Sequence, residues 1–363
     1  MNEKMLPPIA IELTKSPKAR PPADKLGFGK YYTDHMFIMD YDTDRGWHEP
    51  RIVPYQPITL DPSAKVFHYG QTVFEGLKAY PTADGRILLF RPRKNAERLN
   101  RSNERLSMPT LDEEIVLEGL KQLVKIDRDW IPNEPGTSLY IRPFVIATES
   151  ALGVAPSREY KFMIILSPVG MYYAGGMKPI SIFVESKYVR AVEGGVGTAK
   201  TAGNYAASLK AQEEAARLGC DQVLWLDGVQ RKYVEEVGSM NVFFRIGDKV
   251  VTPALNGSFL AGVTRDSVIQ MLRHWEVPLE ERAITIDEIV QAYREGRLTE
   301  IFGTGTAAVI SPVGELCWHG ERMKVGNGSA GELSARIYDT LTGIQTGKLE
   351  DPFDWTIAID GAE

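Results

Sequence analysis

A single lysine, Lys200, stands between two glycine-bearing segments in the stretch Gly194-Gly-Val-Gly-Thr-Ala-Lys-Thr-Ala-Gly-Asn-Tyr205. Gly194, Gly195 and Gly197, then Gly203, permit backbone paths that a Cβ forbids, so other groups can come close to the amine. Three chemistries fit. A loop lysine is most often simply solvated. The spacing of Gly194, Lys200 and Thr201 also follows the phosphate-binding pattern G-x-x-x-x-G-K-[ST], with the apolar run from Val223 ending at Asp227 as the metal-binding acid. Ala199 stands where that pattern requires glycine, and its β-carbon obstructs tight wrapping around phosphate. The third chemistry is a Schiff-base lysine, whose amine must shed its proton before it attacks a carbonyl. Helical spacing after Gly203, with Asn204 as cap and Gly219 as stop, places the lysine just before a helix N-terminus, where the positive field lowers an amine's pKa.

The elements around such a lysine supply further groups. Arg142 interrupts the apolar strand from Thr137 to Ile146 and needs an anion, either a carboxylate on a neighbouring strand or one on a substrate. Glu235 and Glu236 open an apolar strand beside Gly238. Gly262-Val-Thr-Arg-Asp266 precedes an apolar-striped helix, which makes its first backbone N–H groups an anion site. A polar helix from Asn95 to Leu106 carries several arginines. The run from Phe67 to Tyr80 mixes aromatics with Gly70 and Gly76, and Ile301-Phe-Gly-Thr-Gly-Thr-Ala-Ala308 reads as a second small-residue loop able to offer backbone donors. Thr110-Leu-Asp-Glu113 and Ser329-Ala-Gly-Glu332 read as capping boxes, and Asp287 as the cap of a short helix. The Asp227-Gly228 turn leads into a hairpin partner from Arg231 to Glu235, which counts against the phosphate-loop reading.

At 363 residues, 43% hydrophobic and 25% charged, the chain can bury two domain cores. A net charge of −6 without a basic block excludes a nucleic-acid partner. The start lacks an apolar leader and no apolar run is long enough to span a bilayer, so no membrane partner and a cytoplasmic location are expected. Cys220 and Cys317 are too few for a disulfide scaffold and lie far apart in sequence; both are expected as buried thiols. The expected organisation is an extended proline-rich arm over 1–26, a small α/β domain over 27–167, a Gly/Tyr-rich linker over 168–179 and a large domain over 180–363. No metal-ligand spacing is present.

From about Phe28 to Gly347 the sequence resembles the branched-chain amino-acid aminotransferases of fold type IV. The stretches that carry the resemblance are Phe28-Gly-Lys-Tyr-Tyr-Thr-Asp-His-Met36, Phe74-Glu-Gly-Leu-Lys-Ala79, Tyr140-Ile-Arg-Pro143, Lys200 with Gly203-Asn-Tyr205, Glu236-Val-Gly-Ser-Met-Asn241, Gly262-Val-Thr-Arg265 and Phe302-Gly-Thr-Gly-Thr-Ala307. The resemblance implies a two-domain α/β (α+β) enzyme with pyridoxal 5'-phosphate in the cleft between domains, 180–363 being the cofactor-binding domain. It implies that Lys200 bonds the cofactor aldehyde and shuttles the substrate proton, that Glu236 pairs with the ring nitrogen, and that Tyr205 faces the phenolic oxygen. Arg98, the Val263 and Thr264 backbone and Thr306 clamp the phosphate. By the same resemblance the substrate α-carboxylate meets the N–H groups of Thr306 and Ala307 near Tyr69. Phe28, Phe74, Tyr140 and Tyr172 line an aliphatic pocket, Val154 reaches over from a second subunit of a homodimer, and Arg142 serves the distal carboxylate of glutamate. The implied substrates are L-leucine, L-isoleucine and L-valine with their 2-oxo acids, and glutamate with 2-oxoglutarate. Ala308 and Ser311 occupy slots where some family members carry a redox-sensitive Cys-x-x-Cys. D-amino acid aminotransferases and aminodeoxychorismate lyases share the lysine and glutamate but lack the Phe28 to Met36 match.

Overall fold

Apolar runs bounded by turn residues become strands, and in the computed structural model they form two separate sheets. The structure describes residues 6–170 and 177–359. They divide into two units, one lying within Met1–Tyr172, Ala199–Ala202 and Gly343–Glu363, the other within Tyr173–Thr198 and Gly203–Thr342.

The first unit contains β1 (Ala10–Ile11), β2 (His35–Asp42), β3 (Gly46–Pro54), α1 (Lys65–Tyr69), β4 (Thr72–Phe74), β5 (Leu77–Pro81), β6 (Ile87–Phe90), α2 (Pro92–Arg105), α3 (Glu113–Ile126), β7 (Ser138–Ala147) and β8 (Glu159–Val169). Its sheet runs β1-β3-β2-β8-β7-β5-β6, followed by the C-terminal strand Thr356–Ala358, with β4 also paired to β7. Every pairing is antiparallel except that of β1 with β3. The period-3.6 stripe of α3 lays Ile115, Val116, Leu120, Leu123 and Val124 into the core with Phe37, Leu139, Ile141 and Phe162. Full burial of a side chain such as Leu120 stabilises by roughly 1.5–3 kcal/mol.

The second unit contains β9 (Ile180–Glu185), most of α4 (Ala202–Ala206), α5 (Leu209–Arg217), β10 (Gln222–Leu226), β11 (Val234–Val237), β12 (Met240–Ile246), β13 (Lys249–Thr252), α6 (Val263–His274), β14 (Leu279–Glu281), α7 (Ile286–Arg294), β15 (Leu298–Gly305), β16 (Val309–Trp318), β17 (Glu321–Lys324) and most of α8 (Glu332–Gln345). The strand order is β11-β10-β9-β16-β15-β12-β13-β14, and β11 pairs with β12 as well as β10, so six strands close into a ring.

Several local expectations change. The proline-rich arm is tied down: β1 pairs with β3, and the Thr14 N–H donates to His35 Nε2 at 2.9 Å. The C-terminal segment from Gly343 groups with the first unit because its strand pairs with β6. The 168–179 linker begins inside β8, and its residues 171–176 lie outside the described residues. The helix after Gly203 is broken into α4 and α5; Asn204 lies within α4 and its Nδ2 donates to Val196 O at 2.8 Å instead of capping. α3 is capped by Asp112 and α7 by Thr285, each side chain accepting a backbone N–H. The N–H groups of Leu333 and Ser334 at the start of α8 go to the Glu300 carboxylate, which displaces the expected capping box. Phe302 to Gly305 is not loop but the end of β15, leaving only the turn to β16 irregular. Cys220 and Cys317 are buried free thiols, yet their Sγ atoms lie 3.1 Å apart, and burial pushes the Cys317 thiol up to about 12.

Candidate active site

The lysine segment is stitched into the first unit by its backbone. Val73 and Thr201 form an antiparallel bridge, the Phe74 N–H donates to Lys200 O at 3.0 Å, and Thr201 Oγ1 donates to Thr72 O at 2.7 Å. From the other side α2 presents Ser102, whose Oγ accepts the Lys200 N–H at 2.9 Å. Ala199 is buried, 2% exposed. A fixed main chain thus carries a long flexible side chain, and Lys200 Nζ sits 4.9 Å from the centre of the Phe74 ring. α4 spans five residues, too short for the helix-end field expected at Lys200 to build up.

The phosphate-loop reading fails on Asp227. Its carboxylate accepts the N–H groups of Val229, Gln230, Lys232 and Tyr233 at 2.6–3.1 Å, and β10 turns back antiparallel into β11. Burial pushes this carboxyl up, but those four donors outweigh it and hold it below the usual range. It caps its own turn and has no lone pairs aimed at a metal. No group of three or more His, Cys, Asp or Glu among the described residues could hold a metal ion.

Beside the lysine, an aromatic wall surrounds a cation. Arg142 Nη2 donates to the Tyr140 hydroxyl at 2.9 Å, its guanidinium carbon lies 4.6 Å from the Phe74 ring centre, and Phe28 meets Tyr140 edge-on at 4.9 Å. Arg142 Nε is buried and has no hydrogen-bond partner. Gly76 makes this wall possible, since a Cβ there would lie 2.0 Å from the Tyr140 hydroxyl oxygen. Strand alternation puts Lys78, whose register partner is Tyr140, on the same face, and burial pushes its amine down to about 8.

Arg98 is 5% exposed and forked onto Glu75, with Nε to Oε1 at 2.7 Å and Nη2 to Oε2 at 2.8 Å. Asn95 Nδ2 donates to the same Oε2 at 2.8 Å. Burial pushes the Glu75 carboxyl up, but the charge and hydrogen bonds of Arg98, the charge of Lys200 and the Asn95 bond hold it below its ordinary value. Tyr69 and Val154 stand apart from this cluster. The Tyr69 hydroxyl donates to Leu152 O, and Val154 is 85% exposed on the loop after β7. That loop is anchored by Glu149, which accepts Lys65 Nζ at 2.8 Å and the Arg158 N–H and Nε at 2.9 Å. Tyr172 lies outside the described residues.

In the second unit Glu236 is 3% exposed on β11, ion-paired to Arg190, and its register partner Asn241 donates Nδ2 to Oε1 at 3.2 Å. Glu235 faces the other way; burial, with the charge of Glu236 adding to it, pushes its carboxyl up, and Ser258 Oγ donates to it. The glycine loop packs against this side: a Cβ on Gly197 would sit 1.8 Å from Ser258 O. Val263 and Thr264 are the first two residues of α6, where backbone N–H groups fall outside the helix ladder. Thr306 and Ala307 form the turn between β15 and β16, and Tyr205 lies on α4. Sequence reasoning missed Glu75, Ser102, Lys78 and Arg190. Glu75 follows Phe74 within a quoted motif, but nothing in the spacing links it to Arg98, nor Arg190 to Glu236.

A mixed α+β chain with a strand-tethered lysine, a buried carboxylate held by an arginine, and backbone donors at a helix start has the parts that group transfer through an amine requires. The amino-transferase class IV family matches residues 72–316, and the chain belongs to that family. Among relatives, it is 62% identical to Branched-chain-amino-acid aminotransferase 2 of Bacillus subtilis (strain 168) over 351 residues, 97% of each chain. Its structure resembles the T.th. branched-chain amino acid aminotransferase complexed with N-(5'-phosphopyridoxyl)-L-glutamate, at TM-score 0.73 and 27% identity, covering 89% of this chain and 98% of that one. The same T.th. enzyme complexed with 4-methylvaleric acid matches at TM-score 0.72, with the same identity and coverage.

Proposed function

We propose that this chain is a branched-chain-amino-acid aminotransferase that uses pyridoxal 5'-phosphate to move the amino group reversibly between L-leucine, L-isoleucine or L-valine and 2-oxoglutarate. The observation that carries this is the 62% identity to the Bacillus subtilis enzyme over 97% of both chains. The residues present fit the cofactor: an amine on a fixed backbone, a buried carboxylate paired with an arginine, and N–H donors at a helix start. When bound, pyridoxal phosphate supplies the aldehyde that takes up the amino group and the ring that accepts electrons from the substrate Cα.

The chain's own residues do the rest. Lys200 Nζ would hold the cofactor at its aldehyde and, once displaced by the substrate amine, would carry the proton from the substrate Cα. Glu236, ion-paired to Arg190, would face the ring nitrogen and hold a proton there, and Tyr205 would meet the phenolic oxygen. Arg98, the Val263 and Thr264 N–H groups and Thr306 hold the phosphate. Thr306 and Ala307 N–H groups take the substrate α-carboxylate with Tyr69. Phe28, Phe74, Tyr140 and Tyr172 exclude water from the aliphatic side chain, and Arg142, with its buried Nε, takes the distal carboxylate of glutamate. We further propose a homodimer in which the exposed Val154 completes the partner's pocket, and a cytoplasmic location. No helix among the described residues is long and apolar enough to cross a membrane.

The test is the visible spectrum of the holoenzyme under titration. L-leucine is expected to bleach the yellow band and D-alanine to leave it; bleaching by D-alanine alone would overturn the substrate assignment. In Arg142→Ala the L-glutamate half-reaction is expected to slow by about tenfold or more relative to that with L-leucine, the scale of one charge-assisted bond. Equal loss in both would reduce Arg142 to a structural role.

A further inference from the structure

The Glu75 carboxylate is nearly sealed from solvent, 1% exposed, and the mechanism above gives it no task. Both its oxygens accept hydrogen bonds: Oε1 takes Arg98 Nε, and Oε2 takes Arg98 Nη2, Asn95 Nδ2 and, at 3.2 Å, the Gly76 N–H. A fork of this kind fixes a guanidinium in its plane, which a single hydrogen bond cannot do. Asn95 and Arg98 are three residues apart on α2 and Ser102 four further on, so one helix face delivers the fork, the arginine and the hydroxyl that accepts the Lys200 N–H. A buried arginine paired with nothing would carry a large desolvation cost and several rotamers; the paired one has a single orientation.

We propose that Glu75 is a positioning residue for cofactor binding, holding Arg98 by its Nε–Nη2 edge so that the opposite side of the guanidinium is turned to the phosphate. This rests on the reading that Arg98 binds the phosphate. The positioning effect passes through Arg98 and is read at the phosphate, whereas the charge of Lys200, which also acts on Glu75, bears equally on a probe with or without phosphate.

The experiment strips the cofactor from the holoenzyme and measures rebinding of two probes, pyridoxal 5'-phosphate and pyridoxal. The ratio of their dissociation constants isolates the contribution of the phosphate. Glu75→Gln, which leaves only one acceptor atom for the fork, is expected to lower that preference by about tenfold or more. Arg98→Ala is expected to lower it at least as far, and the double variant no further than Arg98→Ala alone. Glu75→Asp keeps the charge but shortens the reach, and is expected to fall between wild type and Glu75→Gln; it carries the test if the glutamine variant does not fold. An unchanged ratio in the Glu75 variants beside a lowered one in Arg98→Ala overturns the proposal, as does equal weakening of both probes, which marks general structural damage. An unchanged ratio in Arg98→Ala instead overturns the phosphate assignment on which it rests.

Discussion

Lys200→Ala is expected to cut turnover by roughly 10^4-fold or more while leaving the fold intact, because the amine assigned to hold the aldehyde and carry the substrate proton is gone. The fold should survive because the segment is held by backbone groups: the bonds from Phe74 N–H, to Ser102 Oγ and from Thr201 Oγ1 involve no part of the lysine side chain. Among what is lost locally are a cation–aromatic contact with Phe74, an interaction worth about 0.5–1 kcal/mol at exposed sites, and the attraction of the Glu75 carboxylate. Single-turnover rates and a thermal melt of the same sample separate the two effects. Turnover within a few fold of wild type would remove Lys200 from the chemistry, and a collapsed melt would mean the side chain has a structural duty not visible in its contacts.

Glu236→Gln is expected to slow the half-reaction with L-leucine by about 10^2-fold or more at saturating cofactor, the scale set by losing one preorganised charge at a developing electron sink. A carboxylate can hold a proton on a ring nitrogen; an amide cannot. Its neighbours sharpen the expectation, since Arg190 and Asn241 both address the same carboxylate, which is 3% exposed. Removing the charge also leaves Arg190 buried without its counter-ion, and breaking a buried pair in this way costs about 3–5 kcal/mol. A lowered melting temperature is therefore expected beside the lowered rate. Stopped-flow absorbance at saturating pyridoxal phosphate reads the rate alone; a rate within twofold of wild type would mean that the ring nitrogen is served by another group.

What could be read from the sequence was whatever is local. The strands around Phe37, Ile141 and Phe162 announce themselves because apolar residues bounded by turns have few other ways to be buried, and α3 does so by its 3.6-residue stripe. Helix starts were less legible: Asp112 and Thr285 cap where Thr110 and Asp287 were expected, a shift of two residues that side-chain type alone does not fix. The break between α4 and α5 falls at Ala207 and Ser208, where a single serine in an alanine-rich run gives little signal, and Asn204 spends its amide on the glycine loop. Non-local pairs were illegible. Glu75 reaches Arg98 across 23 positions, Arg190 reaches Glu236 across 46 and Cys220 meets Cys317 across 97, and no periodicity connects such distances.

The anchor of the Val154 loop has a consequence for acid exposure. The Lys65 hydrogen bond, with the backbone and side chain of Arg158, pulls the Glu149 carboxyl from an ordinary 4.5 down to about 2, against the burial that pushes it up. A carboxyl lowered on folding stabilises the folded form in full above its unfolded pKa, and that contribution drains away as protons bind between about 4.5 and about 2. The loop should therefore stay clamped at pH 5, where an unpaired carboxylate would already be partly protonated, and loosen only as pH falls towards 3. Limited proteolysis across that range, compared with Glu149→Gln, should show the variant cut in the loop at pH 7 and the wild type cut there only in acid; early cleavage of both would mean the carboxylate holds nothing in place.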